Sequence, residues 1–349
     1  MTTDNWIWEQ QDWPGLRWQE EQFAAALKQL YFLSGQIHCL NALSSPKERQ
    51  HLSYYNLIES VGKQRKSIRQ QLSSSLKLQL ELPIEDTAIQ SLHSQKWAEV
   101  IIDSCTNHDK AFTLERLVEW HQAIQKEESS QLRQGKDNDG TVKVLFELID
   151  LAEWFNHSDN DDTDPLIRIA VSYLRMACIK PFNSHNTEIC RMFGNLALNQ
   201  SMPIDIPLYI DPVLISDENS DYLKQLDNAR RGNTDISEWI AYFLDVIKLT
   251  LEKSLNNLMQ SQKQPEYWLK VAECGLSSIQ VDALKGLFNN PDPKASISAS
   301  EYQKFTGVSK PSATRHLAEM LSKGCIIKLG AGGRSTRYRL NLENSSLLS

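Results

Sequence analysis

Apolar residues recur at three- and four-residue steps through most of the first 260 positions, a period that only an α-helix turns into a single face. Phe23, Ala26, Leu27, Leu30, Tyr31 and Leu33 begin one long stripe that runs on through Cys39 to Leu43. Further stripes cover residues 114–124, 143–155, 165–178, 187–198, 222–229 and 236–259. Strand-like alternation is sparse here, so the body is expected to be all-α. Polar breaks at 156–164 and 183–186, and the pair Asp211-Pro212, punctuate the helices.

The pattern changes after residues 260–264, which precede Pro265 and are expected to form a linker. Residues 278–288, 299–305 and 310–323 then read as short helices, and 325–329 and 336–340 as strands joined by Gly330-Ala331-Gly332-Gly333-Arg334. The expected organisation is an N-terminal helical segment over 1–100, a helical core over 101–259 and a small α+β domain over 265–349.

A chain of 349 residues exceeds what one core usually fills, and 41% hydrophobic content with nine Trp excludes a disordered one. The net charge of −7 conceals a split. Residues 296–349 carry eight Lys or Arg against three Asp or Glu, which leaves −12 on the rest. The tail is therefore the candidate for nucleic acid. The six cysteines, Cys39, Cys105, Cys178, Cys190, Cys274 and Cys325, form no CxxC pair, so buried free thiols in a reducing compartment are expected and a zinc site is not. The N-terminus lacks the basic start and apolar run of a signal peptide, and no apolar run is long enough to span a bilayer. The expected location is the cytoplasm, without membrane attachment.

Helix, turn, helix and glycine-tipped hairpin is the order of a winged helix, whose second helix enters the major groove of DNA. Ser309 is a good N-cap, and Pro311 near the helix start forfeits only an N–H that would lack a partner anyway. Lys310, Ser312, Thr314 and Arg315 on the next face are the residue types that reach phosphates and base edges. Arg334, Arg337 and Arg339 are expected to decorate the hairpin and lie near the DNA backbone or minor groove. Residues 308–317 resemble bacterial winged-helix regulators. The alternatives are a solvated basic face or a module that binds a protein partner.

The tryptophans at the N-terminus, in Asn5-Trp6-Ile7-Trp8-Glu9, Asp12-Trp13-Pro14 and Arg17-Trp18, suit a hydrophobic clasp. They also resemble the start of bacterial Fic (Fido) proteins that carry an extra helical segment before the Fic core. That family has a His-Pro-Phe-x-Asp-Gly-Asn-Gly-Arg-x-x-Arg loop, and the stretch here that is similar to it runs from Lys180-Pro181-Phe182 through Asn186 to Arg191. The resemblance covers residues 6–251 and implies a helical Fic-type fold, an ATP and Mg²⁺ site, and transfer of AMP to a protein hydroxyl. It assigns the proton acceptor to position 180 and nucleotide contacts to Asn186 and Arg191.

The departures from the motif fall on the chemistry. Lys180 replaces the His that takes the proton, and an ordinary lysine is already protonated. Ser184 replaces the metal carboxylate. His185 and Thr187 replace glycines that let backbone amides wrap phosphates, and their Cβ atoms disfavour left-handed turns. Glu188 stands where an Arg meets phosphate. ATP and Mg²⁺ are expected only if this pocket remains competent, and Lys180 with His185 is the alternative catalytic pair. The segment 134–139 replaces a longer flap that aligns the target peptide in active members.

The resemblance also places an inhibitory-helix motif at residues 55–60, with Glu59 kept, and implies an ion pair between Glu59 and Arg191. His121 reads as an ordinary core or surface histidine, and the acidic run 159–164 as the approach to a helix rather than a calcium loop. The whole reads as a nucleotide-transfer pseudoenzyme and DNA-binding transcriptional regulator. The rivals are an active adenylyltransferase and a protein-interaction module, and a homodimer would suit a palindromic operator.

Overall fold

The computed structural model describes residues 6–62, 66–84, 91–125, 130–133, 140–157, 162–202, 204–262, 264–288, 295–329 and 336–342. The chain divides into two compact units, Met1–Leu255 and Asn256–Ser349. The first is helical: α1 (Ala24–Leu43), α2 (Pro46–Ser60), α3 (Lys66–Gln79), α4 (Leu92–Thr106), α5 (Leu114–Gln125), α6 (Gly140–Asn156), α7 (Pro165–Ile179), α8 (Asn186–Ser201), α9 (Ser220–Arg231) and most of α10 (Ser237–Gln262).

Local chemistry starts these helices where they start. Ser45 and Glu48 form a reciprocal capping box on α2 with Pro46 at its first position. Asp164 accepts from the Leu166 amide at 2.8 Å and takes the Tyr31 hydroxyl, so the end of the acidic run serves as the cap of α7; residues 158–161 lie outside the described residues. Every residue of α7 from Leu166 to Ile179 is buried. A helix apolar all round belongs at the centre of a bundle, and α7 lies between α6 and α8. Two arginines on it are accommodated by partners: Arg175 reaches Asp150, and Arg168 donates to the Trp154 carbonyl at 2.6 Å.

The N-terminal arm docks through backbone as well as rings. Ile7 is fully buried, and the Arg17 amide and carbonyl bond Thr234 and Ile236 at 2.8 and 2.9 Å. Trp13 donates to Glu147 on α6, and Trp6 stacks on Trp8 at 4.8 Å beneath the Arg231 guanidinium.

The second unit holds α11 (Gln264–Glu273), α12 (Ser278–Phe288), β1 (Ile297–Ser298), α13 (Ala299–Thr306), α14 (Lys310–Ser322), β2 (Ile326–Leu329) and β3 (Arg337–Leu340). Its sheet is antiparallel in the order β1-β3-β2, with Ile326 opposite Leu340 and Ile297 opposite Tyr338. Tyr302, Ala313, Leu317, Met320, Cys325 and Ile326 lie at the centre of its core. The fold class is as expected, mainly α with a small α+β tail.

Three expectations change. The stretch 260–264, expected as a linker, is helical on both sides of residue 263, which lies outside the described residues: α10 runs to Gln262 and α11 begins at Gln264, because glutamines favour helix and Pro265 sits in a first turn, where proline is tolerated. The strand β1 adds a third, two-residue strand too short to show a period. Not all thiols are buried, since Cys39 is exposed on α1 and Cys274 is half-buried.

Candidate functional site

The loop between α7 and α8 is built on two left-handed residues. Lys180 ends α7 at φ 45°, its amide still bonded to the Met176 carbonyl at 3.1 Å. His185 begins α8 at φ 57°, so the turn expected to suffer from losing a glycine keeps its left-handed course despite the Cβ. That conformation costs a β-carbon residue about 1 kcal/mol. His185→Gly is accordingly expected to stabilise the chain by up to about 1 kcal/mol, read as a higher urea midpoint at unchanged slope.

Between these residues the loop is tied from both sides. Asn186 folds back on Phe182, accepting from its amide at 3.0 Å and donating to its carbonyl at 2.7 Å. Phe182 is buried and stacks on His121 at 3.8 Å, with the rings 8° from parallel. His121, also buried, meets the Ser184 carbonyl through Nε2 at 3.2 Å and the Ser130 hydroxyl through Nδ1 at 2.7 Å. The carbonyl can only accept, so Nε2 carries a proton. The helical stripe containing His121 marks it as core, but nothing in the sequence shows that it supports the loop.

On the outer side, Arg133 bonds three successive residues: its amide reaches the Pro181 carbonyl at 2.8 Å, Nε the Lys180 carbonyl at 2.7 Å, and Nη2 the Ile179 carbonyl at 3.0 Å. Arg230 takes the carbonyl of Ala177. Both cations sit at the negative end of α7, where the helix dipole favours them. Arg133 was not anticipated, since it lies in no periodic segment. The expected short flap, 134–139, lies outside the described residues.

The exposed side chain of Lys180 lies among positive charges. Partial burial, then Arg230 and Arg133, pull its pKa below the ordinary lysine value, an effect partly opposed by Cys190 and Cys178. Thr187 donates to Asp217 at 2.9 Å, and Glu188 faces His185 at 3.9 Å. Among the described residues no group of three His, Cys, Asp or Glu side chains is placed to hold a metal.

The expected pair between Glu59 and Arg191 is not formed among the described residues. Glu59 is bonded instead to Arg69 on α3, which also donates to the Ile58 and Gly62 carbonyls at 3.3 Å. Arg69 therefore caps the C-terminal end of α2 and takes its carboxylate in one move. Arg191 meets the same helix end differently. Gly62 is left-handed at φ 75°, and a β-carbon there would stand 2.8 Å from Pro212 and 3.5 Å from Arg191 Nη1. Arg191 Nε and Trp97 Nε1 are buried without a partner among the described residues, beside a cleft between α2, α4 and α8 that Glu188 also lines. The free space there is about 10 Å³, room for about one water.

In the second unit, Ser309 caps α14 and accepts from the Ser312 amide at 3.4 Å. Ala313, Leu317 and Met320 are buried, which turns Lys310, Pro311, Thr314, Arg315 and Ala318 to the exposed side of the helix. Ser312 is half-buried against Ser309, and Thr314 bonds the Lys310 carbonyl at 3.1 Å. Arg337 is engaged within the unit, pairing with Glu301 at 2.9 Å and bonding the Ser296 hydroxyl and carbonyl at 2.8 and 2.7 Å. Arg339 also has a partner, and Arg334 lies outside the described residues.

Residues 295–341 match the family model described as transcriptional regulator DIP2311-like, C-terminal domain. The tail is similar to a regulator domain. Residues 6–82 match a second model, a domain of unknown function (DUF4172). Among solved structures, a Fic family protein from Desulfovibrio desulfuricans G20 is 15% identical with a TM-score of 0.49, over 91% of this chain and 95% of that one. A Fic domain containing signaling protein from Bacteroides thetaiotaomicron VPI-5482 is 16% identical with a TM-score of 0.47, over 67% and 98%. Fic-1 (aa134 - 508) from C. elegans is 16% identical with a TM-score of 0.47, over 69% and 75%. No curated protein matches. No helix among the described residues is long and apolar enough to cross a membrane.

Proposed function

We propose that the chain is a DNA-binding transcriptional regulator whose helical body has lost nucleotide transfer. The observation that carries the first half is the N-terminal part of α14, its first two turns. Lys310, Thr314 and Arg315 stand exposed there on one side of a well-capped helix, in a segment similar to a regulator domain. Cations and hydroxyls at that end of a helix suit phosphate and base-edge contacts in a major groove. Arg337 is paired with Glu301 inside the unit, so recognition in this proposal rests chiefly on α14; Arg334, outside the described residues, is kept from the sequence as a further contact.

The loop residues do not fit Mg²⁺·ATP. Ser184 offers no carboxylate and its carbonyl is held by His121, Asn186 is occupied by Phe182, and Glu188 sets a negative charge where a triphosphate would lie. The lowered pKa of Lys180 favours a lysine base, the one observation on the side of an active transferase. Labelled ATP with Mg²⁺ separates the two: no transfer to any protein, the chain itself included, is expected. The cellular setting is the cytoplasm, and a homodimer would match a palindromic operator.

A fluorescence titration of the full chain with duplex DNA at about 50 and 200 mM salt tests DNA binding. Affinity is expected to fall steeply with salt, because each phosphate neutralised releases counterions. Binding that is absent, or indifferent to salt, would leave a protein partner as the role of the tail.

A further inference from the structure

Two cysteines that are far apart in sequence face each other in the second unit. Cys274 Sγ lies 3.6 Å from Cys325 Sγ, and the two sulfurs lie 3.8 and 3.9 Å from the same Lys323 carbonyl. Their backbones differ in freedom. The Cys325 carbonyl is fixed by the Tyr267 hydroxyl at 3.0 Å and the Asn341 amide at 3.1 Å. Cys274 is half-buried in the turn just past α11, its amide shared between the Lys270 and Val271 carbonyls, and Gly275 after it is left-handed with open space around it. A disulfide needs the sulfurs about 2.05 Å apart, so the approach falls to Cys274, the side that can move. Lys270, whose Nζ lies 3.3 Å from the Gly324 carbonyl, brings a positive charge beside the pair.

We propose that Cys274 and Cys325 form a peroxide-responsive pair that closes to an intramolecular disulfide. The Cys274 thiolate attacks one oxygen of hydrogen peroxide; an S–O bond forms as the O–O bond breaks, and the departing hydroxide takes up the proton released from the Cys274 thiol to give water. Cys325 sulfur then attacks Cys274 sulfur. The S–S bond forms as the S–O bond breaks, and the second hydroxide leaves as water with the proton from Cys325. Two thiols are oxidised by two electrons and one peroxide is reduced. Cys274 is the more exposed of the two sulfurs and so the one a peroxide reaches first, while burial and the adjoining Cys274 sulfur push the Cys325 thiol up. The closed bond ties the end of α11 to the start of β2 and encloses α12, α13 and α14. The pairing holds whether or not the unit binds DNA.

The test uses the full chain with Cys39→Ser, which removes the exposed thiol able to link two molecules. A few equivalents of hydrogen peroxide are expected to lower the intact mass by about 2 Da, reversibly with dithiothreitol, and a non-reducing digest should join the peptides holding residues 274 and 325. The thermal midpoint of the second unit is expected to rise by at least about 5 °C, since the bond restricts the unfolded chain. Adding Cys274→Ser, a change at a half-exposed helix end that circular dichroism can show to be folded, should abolish all three effects. Linked peptides missing after treatment, Cys274 carried to the sulfinic acid, or a mass loss that survives Cys274→Ser would each overturn the proposal.

Discussion

Replacing Arg116 with alanine is expected to cost the helical unit roughly 3 kcal/mol, the low end of what breaking a buried pair costs. The guanidinium is almost fully buried and holds Asp103 at 2.7 Å, while its remaining donors reach the carbonyls of Asp103, Asn107 and Lys110 at 3.0–3.1 Å. Asp103 also accepts from Trp120 Nε1 at 2.8 Å. One side chain thus satisfies the end of α4 and the whole turn into α5. The low end applies because Asp103 keeps 24% of its side chain in water. In a unit of this size the thermal midpoint should drop by about 10 °C.

The loss is expected to depend on pH. Burial pushes the Asp103 carboxyl upward, but hydrogen bonds from Arg116, Asn107 and Trp120 outweigh it, so the folded pKa lies below the ordinary 3.8. A depressed carboxylate contributes stability that is present above its unfolded pKa and lost as pH falls through the folded one. The gap between the wild type and Arg116→Ala in urea should therefore be full at pH 7 and narrow below about pH 4. A gap that stayed constant into acid would mean that the carboxylate takes no part.

Arg315→Ala is the second large effect. If α14 reads a major groove, removing this exposed guanidinium takes away a base or phosphate contact worth about 1–3 kcal/mol, roughly fivefold to over a hundredfold in affinity. Ala313 and Leu317 carry the packing on the opposite face, so the fold should be indifferent to the change. The control is Arg337→Ala. Its side chain is committed to Glu301 and Ser296, so it should shift the unfolding midpoint more than the DNA affinity. Equal affinity for wild type and Arg315→Ala would move recognition away from α14.

The helices were legible wherever one face is apolar, as along α1, α5 and α10, because burial of a stripe writes its own period into the chain. The tail was legible for a further reason: Ser309, Pro311 and Gly307 mark the ends of α13 and α14 with cap and stop chemistry. What escaped depends on single polar contacts. Arg133, Arg69 and Arg116 are charged residues positioned in part by backbone carbonyls, and a carbonyl leaves no trace in a sequence. The Glu59 pairing went to Arg69 for this reason. Motif alignment pointed to Arg191, which also lies beside the end of α2, whereas the Arg69 guanidinium is anchored on the carbonyls of that end and takes the carboxylate. The cost was expected at His185 and Thr187; the chain bears it at His185, while Thr187 lies inside α8 and Lys180 is left-handed without having been expected to be.

The way Asn186, His121 and Arg133 grip the segment between α7 and α8 separates its path from its side chains. Each of the three holds main-chain atoms, so the course of residues 179–186 is dictated by these contacts together with the buried Phe182 ring and the Asn186 amide, and is indifferent to the exposed side chains at 180 and 183–185. A hoop fastened in this manner tolerates a wholesale exchange of reactive groups for inert ones, and remains in register for whatever new set is mounted on it.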